Sequence, residues 1–190
     1  VLEKHGRLRT EDALVLLQTL LATAVELEAR QMVHRDIKPE NILADDDGKY
    51  WLLDFGIARH LDKTSLTATM ARFGPATVGY AAPEQLRNIK KQIDIRADLF
   101  AIGVVMFEVL SGTHPFRDGA RDGLEILRRT ENASVLPLTI PGDTQKQLSG
   151  FINALMARQL SRRPKSAQQA MEWFTALVPT LNFGTSSEEA

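Results

Sequence analysis

The first extended pattern of hydrophobic and polar positions runs from Thr10 to about Gln31. Apolar residues recur there at helical spacing, at Leu14, Leu17, Leu21, Ala24, Val25 and Leu27. Thr10 is the predicted N-cap, because Glu11 and Asp12 follow it in the first turn, where the helix dipole favours acidic side chains. The pattern predicts a helix of about 20 residues with one buried face.

Two short apolar runs follow a polar loop that contains Pro39, a residue that prevents easy continuation of the helix. Residues 41–44 and 49–53 are predicted strands. Residues 45–48, Asp-Asp-Asp-Gly, form a turn sequence in which the glycine can adopt a positive φ. The three aspartates are interpreted as a solvated turn. This part of the chain is therefore predicted to be a small β-hairpin.

Beyond residue 84, most of the chain has a helical pattern. Residues 97–110 are apolar nearly all round, which predicts a fully buried central helix that ends at Gly112. Further helices are predicted near residues 123–131, 144–158 and 166–177. Residues 54–84 have no clear period, and loops of that length are usually functional or mobile. The predicted fold class is mainly α, a helical bundle around a buried central helix with one small β-hairpin.

The composition of the chain excludes several classes of function. The chain has 190 residues, enough for one domain with its own core, and a net charge of −1 gives no basic field for nucleic acid or an anionic membrane. It contains no cysteine, which excludes a disulfide scaffold, a cysteine-ligated zinc site and a thiol nucleophile. No apolar run is long enough to span a bilayer and no signal peptide is visible. We expect a cytoplasmic protein, and a chain that begins with Val1 is expected to be a piece of a longer one.

Charged and polar residues are concentrated in the segment HRDIKPEN, residues 34–41. A hairpin returns the chain to its start, so Asp54 is expected to come close to Asn41. A carboxylate and an amide oxygen that face each other suit Mg²⁺, which also takes phosphate oxygens and water. Asp36 is then free to accept a proton from an attacking hydroxyl group, and Lys38 can offset the charge on a transferring phosphoryl group.

The same segment carries a family resemblance. Seven fixed residues in the pattern HRDxKPEN arise by chance on the order of once in 10⁹ positions at average residue usage, and Asp54-Phe55-Gly56 follows at a hairpin's distance. Together with Ala82-Pro83-Glu84, Asp98 to Gly103 and Arg163-Pro164, these motifs resemble the C-terminal lobe of a eukaryotic-type Ser/Thr protein kinase. The runs DFGIAR and GYAAPEQ are most similar to bacterial members of that family.

The resemblance implies a role for each site residue, and residues 34–41 would be the catalytic loop, the name used below. Asp36 and Lys38 would be catalytic, the first as the base or substrate-orienting carboxylate and the second as a contact of the γ-phosphate. Asn41 and Asp54 would hold Mg²⁺. The implied binding residues for ATP and its metal are Lys38, Glu40, Asn41, Leu43, Leu53 and Asp54. Within this set the two leucines would line the adenine pocket, and the glutamate can also attract a basic residue of the substrate.

The resemblance also implies structural contacts. Asp98 would accept hydrogen bonds from the backbone of the catalytic loop, and His34 would pack against Phe55. Glu84 and Arg163 would form a buried ion pair, in which loss of one partner strands a charge at roughly 3–5 kcal/mol.

Two further inferences concern the acceptor and the regulation of the enzyme. Thr77 stands in the pattern T-x-x-Y-x-A-P-E, which in this family favours serine or threonine over tyrosine as the acceptor. Arg35 would pair with a phosphorylated residue of the long loop, and Thr67 or Thr69 is the hypothesised autophosphorylation site. The alternative is that both threonines are ordinary solvated hydroxyl groups.

Part of the family pattern is not found. No Gly-rich loop, V-A-I-K lysine or partner glutamate precedes the catalytic loop. We therefore expect residues 1–178 to form the C-terminal lobe, residues 179–190 to be a frayed tail, and the N-terminal lobe to be absent. The isolated chain is expected to bind ATP weakly and to be inactive. The alternatives are a pseudokinase or scaffold lobe and a small-molecule phosphotransferase.

Overall fold

The structure, a computed structural model, describes residues 7–53, 78–132, 134–135 and 137–181. Its helices are α1 (Thr10–Ala29), α2 (Pro83–Leu86), α3 (Ile95–Ser111), α4 (Gly123–Asn132), α5 (Gln147–Leu155) and α6 (Ala167–Leu177). Two strands, β1 (Ile42–Ala44) and β2 (Tyr50–Leu52), form an antiparallel hairpin. Short 3-10 turns lie at Pro39–Asn41, Lys90–Gln92, Leu160–Arg162 and Val178–Thr180. The predicted class, mainly helical with one small hairpin, is confirmed.

Helix α3 is the centre of the packing. Nearly every residue from Ile95 to Leu110 is buried, so the prediction of an apolar central helix is confirmed. Asp94 caps its N-terminus by accepting a hydrogen bond from the Arg96 amide at 2.9 Å. Gly112 ends the helix in the left-handed conformation, with φ 78°, as its position in the sequence predicted. Helices α1 and α5 pack directly against α3, and α6 packs against α1.

Helix α1 begins one residue away from the prediction. Its N-cap is Arg9, which makes no side-chain cap, while Thr10 is the first helical residue. The predicted N-cap at Thr10 is therefore wrong. The threonine side chain is buried in the core, and the Arg9 guanidinium instead binds Asp12 at 2.9 Å. The helix ends at Ala29, and Gln31 follows with a positive φ of 56°.

Helix α5 is shorter than the sequence suggested. The predicted span was 144–158, but the helix covers only Gln147–Leu155. The buried Asp143 carboxylate accepts hydrogen bonds from the amides of Leu148 (3.1 Å) and Ser149 (2.8 Å). These bonds supply acceptors to the first turn of the helix. The residues between turn tightly, with Lys146 at φ 55°.

The hairpin is built as its turn sequence predicted. Gly48 has φ 75°, and the Asp45 carboxylate accepts hydrogen bonds from the amides of Asp47 and Lys49 at 3.0 and 2.8 Å. Each strand is shorter than predicted. Strand β1 begins at Ile42, because Asn41 belongs to a 3-10 turn, and β2 covers Tyr50–Leu52.

The last described residues remain attached to the core. Thr180 donates a hydrogen bond to the Gln147 side chain at 2.7 Å, and Leu181 is buried. The predicted tail began at residue 179, and residues 182–190 lie outside the described part. Among the described helices, none is both long and apolar enough to cross a membrane.

Candidate active site

The catalytic loop is fastened to helix α3 by Asp98. The backbone amides of His34 and Arg35 donate to the two oxygens of this carboxylate at 2.7 and 2.8 Å. Asp98 is completely buried, and burial raises its pKa to about 6, although the two amide donors act in the opposite direction. The hydrogen bonds implied by the family resemblance are present, and they fix the start of the loop against the core.

Arg35 has a backbone conformation that few residues adopt. Its φ is 69°, in the left-handed region, which is disfavoured for a side chain with a Cβ atom. Its N–H group is held by Asp98, and its carbonyl oxygen accepts a hydrogen bond from Gln85 Nε2 at 3.1 Å. Gln85 was not among the predicted site residues, and no signal in a single sequence points to this contact.

Asp36 has one occupied and one free carboxylate oxygen. Oδ2 lies 3.0 Å from Lys38 Nζ and accepts a hydrogen bond from Asn41 Nδ2 at 3.2 Å. Oδ1 is buried and accepts no hydrogen bond from any described residue. Two donors therefore orient the carboxylate and leave Oδ1 available to a hydroxyl proton. The structure brings together three of the predicted site residues, Asp36, Lys38 and Asn41.

The same contacts fix the orientation of the Asn41 side chain. Its Nδ2 donates to the Asp36 carbonyl at 2.7 Å as well as to the Asp36 carboxylate. These bonds use only the amide nitrogen and leave the amide oxygen available as an acceptor. An amide oxygen is a ligand that Mg²⁺ accepts. The predicted second ligand, Asp54, lies outside the described residues. Its neighbour Leu53 donates its amide to the Asn41 carbonyl at 2.7 Å, so the hairpin does return the chain to Asn41.

One face of the hairpin is apolar and exposed. Leu43 and Trp51 are cross-strand partners, and Leu53 follows two residues after Trp51 on the same face. Their exposed fractions are 50%, 47% and 39%, whereas Ile42 and Tyr50 on the opposite face are buried. We call Leu43, Trp51 and Leu53 the hairpin face. Trp51 was not among the predicted site residues, although its two-residue spacing from Leu53 places both on one face of a strand.

Acidic groups lie beside the catalytic loop. Glu40 is exposed, and its charge raises the pKa of both Tyr80 and Glu108, for which burial is the larger cause. The Tyr80 hydroxyl donates a short hydrogen bond to the Glu108 carboxylate. The Arg117 guanidinium lies 6.0 Å from the centre of the Tyr80 ring. The surroundings of Glu40 therefore include a second carboxylate, Glu108, and the Tyr80 ring that binds it.

A buried ion pair anchors helix α2. Arg163 reaches both oxygens of Glu84, at 2.7 and 3.0 Å, and the arginine side chain has no exposed surface. The guanidinium also donates to the carbonyls of Ala157 (2.6 Å) and Arg96 (2.9 Å), and it lies 4.8 Å from the Phe100 ring. The ion pair implied by the resemblance is present, and its donors are almost fully satisfied.

Several predicted residues cannot be placed in this geometry. They lie outside the described residues and are Asp54, Phe55, Gly56, Thr67, Thr69 and Thr77. Phe55, the predicted packing partner of His34, is among them. His34 itself is buried, as a packing role in the core requires.

The chain matches the family model described as the protein kinase domain over residues 1–174. It is 28% identical over 170 residues to a probable serine/threonine-protein kinase PknB from Lactococcus lactis, covering 90% of this chain and 26% of that protein. Its identity to the serine/threonine-protein kinase PrkC of Bacillus subtilis is 38% over 112 residues, or 59% of this chain and 17% of PrkC. The chain spans about a quarter of the length of the first curated relatives it matches. The sequence match and the arrangement of the catalytic loop agree: the chain belongs to the protein kinase family.

Proposed function

We propose that this chain is the C-terminal lobe of a serine/threonine protein kinase, which transfers the γ-phosphate of ATP to protein hydroxyl groups. The observation that carries the proposal is the arrangement of Asp36. One carboxylate oxygen is held by Lys38 and Asn41, and the other is buried without a described partner. Such a carboxylate can accept a proton from an incoming hydroxyl group.

In this mechanism each residue of the loop has a separate task. Asp36 Oδ1 takes the hydroxyl proton while Oδ2 remains bound by its two donors. Lys38, already beside Asp36, offsets negative charge on the phosphoryl group in transfer. Mg²⁺, when bound, would neutralise phosphate charge, and Asn41 and Asp54 are the residues that would hold it. Leu43 and Leu53 offer an apolar surface to the adenine base.

The experiment that tests this function compares the full-length protein with its Asp36→Asn variant. We expect transfer of labelled γ-phosphate to serine or threonine of the protein itself and of a basic protein substrate. The variant keeps the hydrogen-bond geometry but not the base, so its rate should fall by about 100-fold or more. Asp46→Asn, in the exposed hairpin turn, is the matched control and should retain the wild-type rate. A folded wild-type protein without any transfer would contradict the proposal and favour the pseudokinase alternative.

The isolated chain is proposed to be inactive because it supplies only half of the nucleotide site. The exposed hairpin face and the short span of the chain relative to its relatives support this part of the proposal. We expect weak ATP binding and negligible turnover from residues 1–190, compared with the full-length protein at equal concentration. A rate within about tenfold of the full-length rate would contradict it.

The proposed substrate is a protein with a hydroxyl acceptor and a basic residue close to it. Serine or threonine is the proposed acceptor, because the chain is similar to serine/threonine-protein kinases. Glu40, with Glu108 near it, favours a basic residue close to the acceptor. In a peptide panel, Glu40→Gln should reduce the preference for arginine over alanine beside the acceptor by about tenfold at low salt. An unchanged preference would remove Glu40 from substrate selection.

Phosphorylation of Thr67 or Thr69, read by Arg35, is the proposed regulatory step. A phosphate adds nearly two negative charges and can order a loop against an arginine. Phosphopeptide mapping of the active full-length protein should find phosphate between residues 54 and 80. Its absence there would leave the two threonines as solvated hydroxyl groups.

A further inference from the structure

Gln85 connects helix α2 to the catalytic loop through both ends of its side-chain amide. The side chain is buried. Its Oε1 accepts a hydrogen bond from the Ala82 amide at 3.0 Å, which caps the first turn of α2. Its Nε2 donates to the Arg35 carbonyl at 3.1 Å. One side chain thus joins two segments that are fifty positions apart in the sequence.

The carbonyl that Gln85 holds is part of the peptide unit that leads into Asp36. Arg35 has the disfavoured left-handed φ, so its conformation must be maintained by its surroundings. Asp98, on α3, holds its N–H group at 2.8 Å, and Gln85, on α2, holds its carbonyl group. Both polar groups of this residue are fixed by buried side chains of different helices. The orientation of the following peptide, and with it the Asp36 side chain, depends on these two bonds and on a third, which the Asp36 amide donates to His34 Nδ1 at 3.3 Å.

Helix α2 is itself held by Arg163, in the segment between α5 and α6. The residue before Gln85 is Glu84, which forms the buried pair with Arg163. A change in the position of α2 would therefore reach the catalytic loop through one hydrogen bond. Loss of that bond would leave the part-buried Arg35 carbonyl without its side-chain donor, and an acceptor that loses its partner where water has limited access is unfavourable.

We propose that Gln85 is a positioning residue that holds the Arg35–Asp36 peptide in its active orientation and couples the placement of α2 to the catalytic loop. It acts on Asp36 through Arg35 and touches no reacting atom. The kinetic part of this inference rests on the proposed kinase activity. The structural part does not, since it concerns a contact within residues 7–53 and 78–132.

The structural part is tested by hydrogen exchange on this chain, using Gln85→Glu and Gln85→Met. An introduced carboxylate keeps the acceptor for Ala82, but when ionised it has no proton to donate to the Arg35 carbonyl. Exchange in a peptide covering residues 33–41 should be about fivefold faster than in the wild type at pH 8 in both variants. In Gln85→Glu the ratio to wild type should shrink toward pH 5, where a protonated carboxyl group can donate again. Gln85→Met should show no such pH dependence.

Gln168→Met, on the exposed surface of α6, is the matched control and should leave exchange in the catalytic loop unchanged. Exchange of the loop at the wild-type rate in both Gln85 variants would overturn the inference. Acceleration spread equally over the whole chain would also overturn it, because that pattern indicates general destabilisation.

The kinetic part uses the full-length protein with the same variants. We expect Gln85→Met to lower kcat about fivefold with the KM for ATP within twofold of wild type, and Gln168→Met to change neither. An unchanged kcat in an active protein would overturn the positioning role. If the folded wild-type protein transfers no phosphate, the proposed function fails, while the exchange measurement still decides whether Gln85 positions the loop.

Discussion

Single residues of this protein show how burial sets a charge state. His114 is buried, and its Nδ1 accepts hydrogen bonds from the amides of Phe116 (3.1 Å) and Arg117 (3.0 Å). Burial, with a smaller effect of the nearby Arg117 charge, lowers the pKa of His114 to about 3. Asp98 shows the opposite case for an acid, with a pKa raised to about 6 by burial. In both groups burial shifts the protonation equilibrium towards the neutral form, although Asp98 is still mostly ionised at neutral pH.

These two residues have opposite effects on stability as the pH changes. An unfolded histidine takes up a proton below about pH 6.5, whereas folded His114 does not until about pH 3, so stability falls as the pH falls below 6.5. Folded Asp98 binds its proton at about pH 6, above the unfolded value near 3.9, so stability falls as the pH rises between these values. The two effects oppose each other between about pH 4 and 6.

His114→Asn isolates the histidine contribution. The variant keeps an acceptor oxygen for the amides of Phe116 and Arg117 but does not titrate, and Asp98 is the same in both proteins. Between pH 7.5 and 5 the wild type should lose about 2 kcal/mol more unfolding free energy than the variant. Urea denaturation at the two pH values measures this difference. Equal losses in the two proteins would show that His114 is not held neutral.

At the scale of elements, α3, which holds the catalytic loop through Asp98, approaches α5 closely at one glycine. Gly103 of α3 faces α5, and a Cβ atom placed there would lie 2.7 Å from Met156 Cγ and 2.9 Å from Leu155 Cβ. The Met156 backbone nitrogen would be 3.1 Å away, and backbone cannot move as a side chain does. The glycine is thus required by helix packing, although glycine is unfavourable inside a helix.

Gly103→Ala should destabilise the protein. Alanine gains about 1 kcal/mol in helix propensity, but overpacking costs about 1–3 kcal/mol, and here the contact includes backbone, so the loss should prevail. Thermal denaturation measures the result. Gly150→Ala, on α5, is the matched control, because nothing lies within 4 Å of its added Cβ, and it should stabilise the protein slightly. Stabilisation by both substitutions would contradict the packing argument.

The Glu84–Arg163 pair gives a second prediction at this scale. Arg163→Met leaves the Glu84 carboxylate buried without its partner and should cost about 3–5 kcal/mol in unfolding free energy. Glu84→Gln should cost less, since the guanidinium keeps the carbonyls of Ala157 and Arg96 as acceptors. The double variant should be more stable than the sum of the single losses predicts.

Arg9→Met is the control for an exposed pair. Arg9 and Asp12 are 2.9 Å apart but exposed, so loss of the pair should change the unfolding free energy little. Urea denaturation of the four variants decides the comparison. Equal costs for Arg163→Met and Arg9→Met would show that burial adds nothing to the first pair.

At the scale of the whole molecule, the hairpin face is an apolar surface beside the proposed nucleotide site. Trp51, Leu43 and Leu53 lie together there, whereas single exposed apolar residues elsewhere need no explanation. We expect the isolated chain to self-associate through this face. Trp51→Lys should weaken that association about tenfold in sedimentation velocity measurements, since a charge is introduced where apolar surface would be buried.

Val15→Lys is the matched control for this prediction. Val15 is 48% exposed on α1, similar to Trp51, but it lies outside the hairpin face. The control should associate like the wild type. Equal effects of the two lysine substitutions would assign the change to net charge and not to the hairpin face.

The sequence by itself determined the main elements and the chemistry of the loop. The helical period of α1, the apolar run of α3 and the glycines at 48 and 112 predicted these elements, because period and turn residues are local properties of the chain. Asp36, Lys38 and Asn41 lie within six positions, so a short loop was enough to bring them together.

Only the tertiary structure decided the contacts between distant segments that a family pattern does not imply. The bond from Gln85 to the Arg35 carbonyl and the close approach of Gly103 to Met156 each join residues about fifty positions apart. The start of α5 is set by hydrogen bonds to Asp143, which a helical period alone does not predict. Hydrophobic periodicity shows which face of an element is buried but not which partner it meets, since the partner depends on how all the elements pack together.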